Sequence, residues 1–346
     1  MNVHQVLCAA GPVDAVTHQG LAFRRLFQGW GWGGHDVAEV LAPGMDRSLV
    51  RPSRHLHADR HDVVVLHYSG YARGLGQVFE LPNPKLVISH NVTPARYFWA
   101  YEPVEGIRCS LAPPQLAELA RQADAAAGVS EYNAAELRAA GAESAEVIPV
   151  LFDRSRLGEP GPAPEGPPTV LFVGRLAPHK RQDLVIRAFG LYRRHRAPDA
   201  RLVLVGVPIS PAFETSLRQL AEQVAPGAVT IETGIPFEKL LEHYRSAHAL
   251  LCLSEHEGFC IPLLESFHFG VPVIAQPAGG IPEVGGDAAL LTGADDLAVV
   301  AELLHLAVSD PELRAELRRR GESRLEAYAY DRTAARLRDT LTRLAA

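Results

Sequence analysis

The chain has 346 residues, of which 47% are hydrophobic and 21% charged, a balance typical of folded globular proteins that argues against extensive disorder and against a coiled coil. Its length exceeds the size at which a single hydrophobic core usually stops growing, so two domains are expected. A formal net charge of −6 supplies no overall positive field, which argues against nucleic acid as a partner.

The cysteines and the N-terminal stretch indicate a reducing compartment. Cys8, Cys109, Cys252 and Cys260 are scattered without CxxC spacing, which favours buried thiols over disulfides or a zinc site. The stretch MNVHQVLCAAGPV lacks the apolar run of a signal peptide, and no segment approaches the roughly 18 apolar residues of a membrane span. We expect a cytoplasmic protein with at most peripheral membrane contact, through stretches such as LAFRRLF and ARYFWAY.

Residues 1–152 are predicted to form a first α/β domain. The strand VHQVLCAA precedes a helix from about Asp14 to Trp30, and five strand-like runs follow: HDVAEVLA, DVVVLHYS, KLVISHN, ADAAAGVS and AEVIPVL. Their nearly continuous apolar character suits a parallel sheet that is covered on both faces. The pattern predicts a doubly wound, Rossmann-like domain.

Residues 153–168, DRSRLGEPGPAPEGPP, are rich in Pro and Gly and predict a linker. Beyond it the strands TVLFVG, RLVLVG, AVTIET and ALLCLS alternate with helices from Gln182, near Phe213–Val224 and near Phe237–Ala247, so residues 169–327 predict a second doubly wound domain. The C-terminal helix at residues 328–346 could cross back to the first domain. Two such domains predict a ligand-binding cleft at the carboxyl ends of the strands.

The turn GRLAPHK follows the strand TVLFVG and carries two cations. Arg175 offers a planar fork and Lys180 a point charge, directly after Gly174 and ahead of an amphipathic helix. Such a pair suits a diphosphate whose negative charge grows as a bond to it breaks. If this turn is considered without its neighbours, the competing interpretation is a solvated surface turn.

The segment EGFCIPLLE, which follows the strand ALLCLS, predicts an anion site at the start of a helix. Pro262 fits the first helical position and Gly270 ends the helix. The free N–H groups of Phe259 to Leu264, including those of Cys260 and Ile261, and the positive helix end suit a phosphate, and Gly258 permits close backbone approach.

Two carboxylates flank this helix start. Glu265 lies one turn inside the helix, where a carboxylate can accept hydrogen bonds from both hydroxyls of a ribose, and Glu257 precedes the turn and faces the transferred group. Helix-face carboxylates that meet only solvent are the alternative. The spacing does not indicate the opposed carboxylates of a glycoside hydrolase.

These elements resemble the retaining glycosyltransferases of family 4, which have the two-domain GT-B fold. The resemblance rests on GRLAPHK, on EGFCIPLLE and on GVPVIAQPAGGIPEVGGDAALL, which together cover Val170 to Leu291. It implies that Arg175 and Lys180 bind the donor diphosphate, Glu265 the ribose and Glu257 the donor sugar. It also implies that Thr233 to Pro236, with Gly234 and Ile235, lie near the nucleobase.

The N-terminal half adds weaker matches. ISHNVTPARYF is similar to the His-Asn-x-Thr-Pro run of some bacterial members, which implies that His90 contacts the donor sugar, while SEYN and GWGGHDVAEV are similar to further family segments. The acceptor-side loop departs from the family, because AAGPVDAVTHQ has Gly11 and Asp14 where paired glycines are usual. Cys260 stands where Gly is common, and we expect tolerance there because the backbone matters most.

A metal is not expected. His55, His57 and His61 with Asp59 and Asp62 form a possible metal cluster, but their polar surroundings favour a solvated loop. No Asp-x-Asp element is present to bridge a metal to a diphosphate, so the two cations and the helix end would supply the positive charge instead.

The sequence therefore predicts transfer of a sugar from a UDP- or GDP-linked donor to an acceptor hydroxyl of a saccharide, a lipid-linked saccharide or a small molecule, with retention implied by the resemblance. The second domain would bind the donor and the first the acceptor. The alternatives are another GT-B enzyme, such as a nucleotide-sugar epimerase, and a non-catalytic nucleotide-binding subunit.

Overall fold

A computed structural model describes all residues, 1–346, and places them in two compact units, each with its own parallel sheet. Unit 1 comprises residues 1–96, 104–151 and 330–346, and unit 2 comprises residues 97–103 and 152–329. None of the helices combines the length and the apolar character that crossing a bilayer requires.

The sheet of unit 1 has seven strands in the order β3-β2-β1-β4-β5-β6-β7, and every neighbouring pair is parallel. The strands are β1 (Val3–Ala10), β2 (Asp36–Leu41), β3 (Arg51–Pro52), β4 (Val63–Tyr68), β5 (Lys85–Ser89), β6 (Ala125–Gly128) and β7 (Glu146–Val147). The helices are α1 (Ala15–Gly29), α2 (Leu75–Phe79), α3 (Pro103–Gln122), α4 (Glu131–Ala140) and, from the C-terminus, α12 (Tyr330–Leu344).

The strands of unit 1 are nearly continuous apolar runs because they are buried on both faces. All residues of β4 and β5 are buried, and Val6, Val64, Leu66 and Val87 share one core cluster with side chains of α3 and α4. The predicted strand AEVIPVL shortens to two residues, in a segment where Pro149 lacks the N–H that a ladder needs. In α12, Thr340 donates to Glu146 of the same unit at 2.9 Å.

The sheet of unit 2 has six parallel strands in the order β10-β9-β8-β11-β12-β13. The strands are β8 (Thr169–Val173), β9 (Arg201–Val205), β10 (Val229–Glu232), β11 (Ala249–Cys252), β12 (Val273–Ala275) and β13 (Ala289–Leu291). The helices are α5 (Gln182–His195), α6 (Pro211–Val224), α7 (Phe237–Ser246), α8 (Ile261–His268), α9 (Ile281–Gly285), α10 (Leu297–Ser309) and α11 (Pro311–Ala327).

Residues 97–103 pack with unit 2, although they lie inside the first predicted domain. Phe98 is buried, and the rings of Tyr97 and Phe98 each lie 5.8 Å from that of His179. Tyr101 meets Phe213 edge to face at 4.9 Å. These aromatic contacts explain why a segment between β5 and α3 groups with the second sheet, which sequence order alone does not indicate.

Candidate active site

The strand order reverses between β8 and β11 in unit 2, and the predicted donor residues follow these two strands. Ligands of doubly wound sheets bind at such a switch point, outside the carboxyl ends of the strands. Gly174 comes directly after β8, and a Cβ on its neighbour Gly206 would lie 1.8 Å from the Gly174 carbonyl oxygen. This close backbone approach fixes where the cationic turn begins.

The cationic turn, residues 174–180, is held near its start by two hydrogen bonds. Buried Leu176 donates its N–H to the Val207 carbonyl at 2.9 Å, and the side chain of Gln182 donates to the Arg175 carbonyl at 3.0 Å. The side chain of Arg175 is exposed and forms no ion pair within unit 2. The turn therefore presents one free guanidinium on a fixed backbone.

Lys180 and Glu257 form an ion pair, with Nζ 2.5 Å from Oε2. Both side chains are largely buried, at 18% and 9% exposure. Burial is the largest single influence and lowers the pKa of Lys180, but the charge and hydrogen bond of Glu257, together with Cys260 and Cys252, outweigh it and the net pKa is raised, so the ammonium stays charged. The sequence prediction placed these residues on different parts of the donor, whereas the structure joins them directly.

Further contacts tie the cationic turn to the turn after β11. Glu255 donates its N–H to the His179 carbonyl at 2.8 Å, and Arg181 bridges Glu255 and Asp183. Burial, followed by the charge of Lys180, lowers the pKa of the His179 ring to about 2, so this histidine is neutral. These contacts join the two turns, and among residues 174–180 the charged side chain that forms no ion pair within unit 2 is Arg175.

The helix start predicted at Pro262 lies one residue earlier, so this prediction was wrong by one position. Cys260 takes a left-handed conformation, with φ +72°, and α8 begins at Ile261, with Pro262 second. A left-handed position explains why glycine is common here, because only glycine adopts it without strain. Pro262 has no N–H and Leu263 donates its N–H to the Cys260 carbonyl at 3.1 Å, whereas the Ile261 N–H forms no hydrogen bond within unit 2 and is left for an anion.

The Gly-rich loop after β12 packs against the backbone of Glu257. Gly280 donates its N–H to the Glu257 carbonyl at 2.9 Å. Gly279 has φ +56°, and a Cβ there would lie 1.9 Å from the same oxygen. The loop therefore needs glycine at residue 279 to hold Glu257 in place.

Glu265 has a partner that the sequence did not reveal. The hydroxyl of Tyr244 in α7 donates to Glu265 Oε2 at 2.5 Å, and the Tyr244 ring is fully buried and stacked on Phe269 at 5.5 Å. Burial raises the pKa of Glu265, although the Tyr244 hydrogen bond opposes it. Burial, reinforced by the Glu265 charge, raises the pKa of Tyr244 well above its ordinary value, so the phenol keeps its proton.

His90 lies in unit 1, directly after β5, and its Nε2 is 2.9 Å from Nδ1 of buried His67. Burial lowers the pKa of His90 to about 3. The next residue, Asn91, has φ +86°, and its side-chain oxygen accepts from Asn133, near Ser130, which caps α4. The His-Asn run and the SEYN segment therefore meet at one edge of the sheet.

Backbone strain concentrates on these elements. The non-glycine residues with positive φ are Asn91, Arg181 and Cys260. Each stands beside a predicted site residue, namely His90, Lys180 or Ile261. Such strain persists where the surrounding structure enforces it, and it clusters at functional sites.

The residues predicted on the acceptor side and beside the nucleobase lie in loops that precede helices. Asp14 caps α1 by accepting from the N–H and hydroxyl of Thr17, both at 2.7 Å, and the Gly11 N–H donates to the same hydroxyl at 3.0 Å. The segment with Gly234 and Ile235 connects β10 to α7, and Gly234 is exposed with φ +64°.

The histidine-rich loop does not converge on a metal site. His55, His57 and His61 are exposed, as predicted for a solvated loop. Asp62 is the exception and corrects that prediction, because it is buried and accepts from His4, Asn2 and the Asp59 N–H at 2.8–3.1 Å.

A second group has ligand atoms close enough for a metal: Cys252, Glu257 and Cys260 lie within 4.8 Å of one another. Thiols and a carboxylate are ligands that a zinc ion accepts. The Lys180 ammonium already pairs with Glu257 at 2.5 Å, however, and would repel a cation. None of the four cysteines forms a disulfide and all four are buried, as the sequence predicted.

Known sequences match the second unit. Residues 153–324 match the family model described as Glycosyl transferases group 1. A GDP-mannose-dependent alpha-(1-6)-phosphatidylinositol monomannoside mannosyltransferase of Mycolicibacterium smegmatis is 34% identical over 160 residues, 43% of this chain and 41% of that protein. A D-inositol 3-phosphate glycosyltransferase of Acidothermus cellulolyticus is 36% identical over 172 residues, 47% of this chain and 38% of that protein. The likeness thus spans less than half of each relative.

Solved structures match nearly the whole chain. Sucrose-phosphate synthase from Thermosynechococcus elongatus has a TM-score of 0.78 and 19% identity, covering 99% of this chain and 98% of that one. Anabaena HepE in complex with UDP-glucose has a TM-score of 0.78 and 15% identity, covering 98% and 99%. These matches confirm the predicted pair of doubly wound parallel-sheet domains. Residues 153–324 are therefore similar to the glycosyl transferases of group 1, and the whole chain has the two-domain GT-B fold.

Proposed function

We propose that this chain transfers a hexosyl group from a nucleoside-diphosphate sugar to an acceptor hydroxyl, with retention of anomeric configuration and without a metal. The observation that carries this proposal is the convergence of Arg175, the Lys180–Glu257 pair and the start of α8 at the switch point of unit 2. Two cations and a helix N-terminus in one place suit a diphosphate leaving group.

The diphosphate end of the donor is bound by groups that keep free hydrogen-bond donors. An ammonium has three donors, so Lys180 can hold Glu257 and still donate to a phosphate oxygen. Arg175 adds a planar fork that matches two phosphate oxygens. The amides of Phe259, Cys260 and Ile261 complete the cradle, with Gly174 and Gly258 leaving room for the phosphates. These groups stabilise the departing diphosphate, which is the task a metal serves in other transferases.

The nucleoside end is bound by Glu265. The Tyr244 hydroxyl occupies Oε2, which orients the carboxylate and leaves Oε1 for the ribose hydroxyls. We place the nucleobase beside Gly234 and Ile235, as the resemblance to family 4 implies. The same resemblance implies that Glu257 and His90 contact the donor sugar, and it supports retention of the anomeric configuration.

The names of the similar proteins indicate which classes of donor and acceptor to propose for this chain. One is named for GDP-mannose and another for inositol 3-phosphate, and the HepE structure contains UDP-glucose. We therefore propose a GDP- or UDP-linked hexose as donor and a hydroxyl of a saccharide, lipid-linked saccharide or polyol as acceptor, with Gly11 and Asp14 on the acceptor side. Four buried cysteines without a disulfide favour a reducing, cytoplasmic setting, where lipid-linked acceptors would require peripheral membrane contact.

A donor panel tests this proposal. Thermal unfolding of the full chain is measured with GDP-mannose, UDP-glucose and related sugars, since a ligand that binds only the folded state raises its stability. The stabilising donor is then incubated with acceptors, with and without EDTA, and product configuration is determined by NMR. Acceptor-dependent release of GDP or UDP that EDTA leaves unchanged is expected. Consumption of donor without any acceptor would indicate an epimerase, and binding without turnover a nucleotide-binding subunit.

A further inference from the structure

A chain of buried hydrogen bonds runs through unit 1 and ends at His90. Its far end is the ion pair of Arg24 with Asp36, in which Nη2 is 2.6 Å from Oδ1. The side-chain nitrogen of Gln5 donates to the same Oδ1 at 2.8 Å and to the Gly20 carbonyl at 2.9 Å. Both partners can only accept, so the orientation of the Gln5 amide is fixed and its oxygen points the other way.

The Gln5 oxygen determines the protonation of His67. It lies 2.9 Å from His67 Nε2 and can only accept, so Nε2 carries the proton. His67 is fully buried, and burial, followed by the charge of His90, lowers its pKa well below the ordinary value. The ring is therefore neutral, and its Nδ1 has a lone pair.

The lone pair of His67 in turn determines the protonation of His90. His67 Nδ1 lies 2.9 Å from His90 Nε2, so His90 must donate from Nε2. Because burial keeps His90 neutral, its Nδ1 is then an acceptor, and this atom has no hydrogen bond within unit 1.

We propose that His67 is a positioning residue, which fixes His90 in the tautomer that carries its proton on Nε2 and so presents Nδ1 to accept a hydrogen bond from a substrate hydroxyl. The role of His90 at the substrate rests on the proposed function, whereas the tautomer rests on the hydrogen bonds alone. The direction of every bond follows from the Asp36 carboxylate. Gln5, His67 and Asp36 therefore act on the reaction only through His90.

Packing keeps the His67 ring in place. Its centroid is 5.5 Å from that of Phe23 and 5.1 Å from that of His90, and Cys8 donates its thiol to the His67 carbonyl at 3.4 Å. Phe23 therefore provides a matched control. Phe23→Leu should loosen the packing around the His67 ring while keeping every hydrogen bond that links Asp36, Gln5, His67 and His90.

The first experiment reads the tautomers directly. The full chain is labelled with ¹⁵N-histidine, two-bond ¹H–¹⁵N correlations are recorded at neutral pH, and signals are assigned from His67→Phe and His90→Phe. Both residues should show the pattern of a proton on Nε2. In His67→Phe, the His90 pattern should become a mixture of tautomers, while Phe23→Leu should preserve it. A proton on Nδ1 of His90 in the unmodified chain would overturn the proposal.

The second experiment measures turnover. His67→Phe should lower kcat/KM for the donor about 10-fold, the effect expected when one hydrogen bond is misdirected. His67→Gln should restore most of it, because an amide can donate to Gln5 and accept from His90. Phe23→Leu should remain near the unmodified value. Equal losses in all three variants would indicate a purely structural role. A chain with the expected tautomers but no turnover of any nucleotide sugar would refute the proposed function and leave the tautomer assignment standing.

Discussion

Tyr244→Phe tests whether the hydroxyl of Tyr244 holds the carboxylate of Glu265. The change removes the donor at 2.5 Å and keeps the ring that stacks on Phe269, so packing is preserved. A hydrogen bond to a charged group contributes roughly 1.5–3 kcal/mol. We therefore expect the free energy of unfolding to fall by about 2 kcal/mol at neutral pH.

The loss should depend on pH with a defined sign. Burial raises the pKa of Glu265 in the folded chain, and for such an acid the stability gained by proton binding is present at low pH and lost as pH rises through the folded pKa. The Tyr244 hydrogen bond holds this pKa down, so Tyr244→Phe raises it further. The deficit of the variant should then be largest at about pH 8 and shrink toward about pH 5.

Urea unfolding at both pH values measures the effect, with Tyr192→Phe as control. Tyr192 is another buried tyrosine of unit 2 whose hydroxyl forms no hydrogen bond within that unit, and removal of this hydroxyl should cost less than about 0.5 kcal/mol. The donor KM of Tyr244→Phe should rise more than kcat falls if Glu265 holds the ribose before and during reaction, as proposed above. Equal stability of the two variants at both pH values would refute this account of Glu265.

Three further changes test other parts of the site. Arg175→Ala or Lys180→Ala should lower turnover by about 10² to 10³, the cost of losing one preorganised donor to a leaving group, and near-normal steady-state rates in both would contradict the diphosphate assignment. Gly279→Ala should lower the free energy of unfolding in urea by about 3 kcal/mol, because its Cβ would lie 1.9 Å from the Glu257 carbonyl oxygen. The control Gly227→Ala, at a glycine with positive φ but open space around it, should lower it by about 1 kcal/mol. Equal losses of stability would argue against the close approach at residue 279. Cys260→Gly should change stability by less than about 1 kcal/mol, because relief of the left-handed backbone strain offsets the lost thiol contact. Cys260→Val should lower stability by about 2 kcal/mol, because a β-branched residue fits this conformation poorly. If thermal unfolding ranked Cys260→Val as more stable than Cys260→Gly, the claim that residue 260 is strained would be contradicted.

The sequence predicted the elements and the fold well because both depend on local patterns. Apolar runs mark β8, β9 and β11, and the anion site predicted from the turns after them stays a prediction. Positive φ was not predicted at Asn91, Arg181 or Cys260, although the resemblance, in which glycine is common at the Cys260 position, carried a signal there. A glycine there would have indicated it.

Partners that come together only in the folded chain could not be predicted. Lys180 and Glu257 stand far apart in sequence, and no rule of spacing brings their charges to 2.5 Å. Tyr244 reads as a core residue of an amphipathic helix, and its hydroxyl finds Glu265 only through the packing of α7 on α8. His67 reads as part of a buried strand, where its protonation depends on Gln5 and His90 from other segments.

The ion pair between Lys180 and Glu257 decides how the site gains an anion. Leaving either charge alone in its largely buried position would carry a large desolvation cost, so we expect a phosphate of the proposed donor to contact Lys180 without displacing Glu257. The pair contributes no net charge, and its geometry is set before the donor arrives. Net attraction must then come from exposed Arg175 and from the start of α8. In the proposed site, Arg175 and the α8 amides would therefore supply the positive charge, and Lys180 would supply a hydrogen-bond donor whose position Glu257 has already fixed.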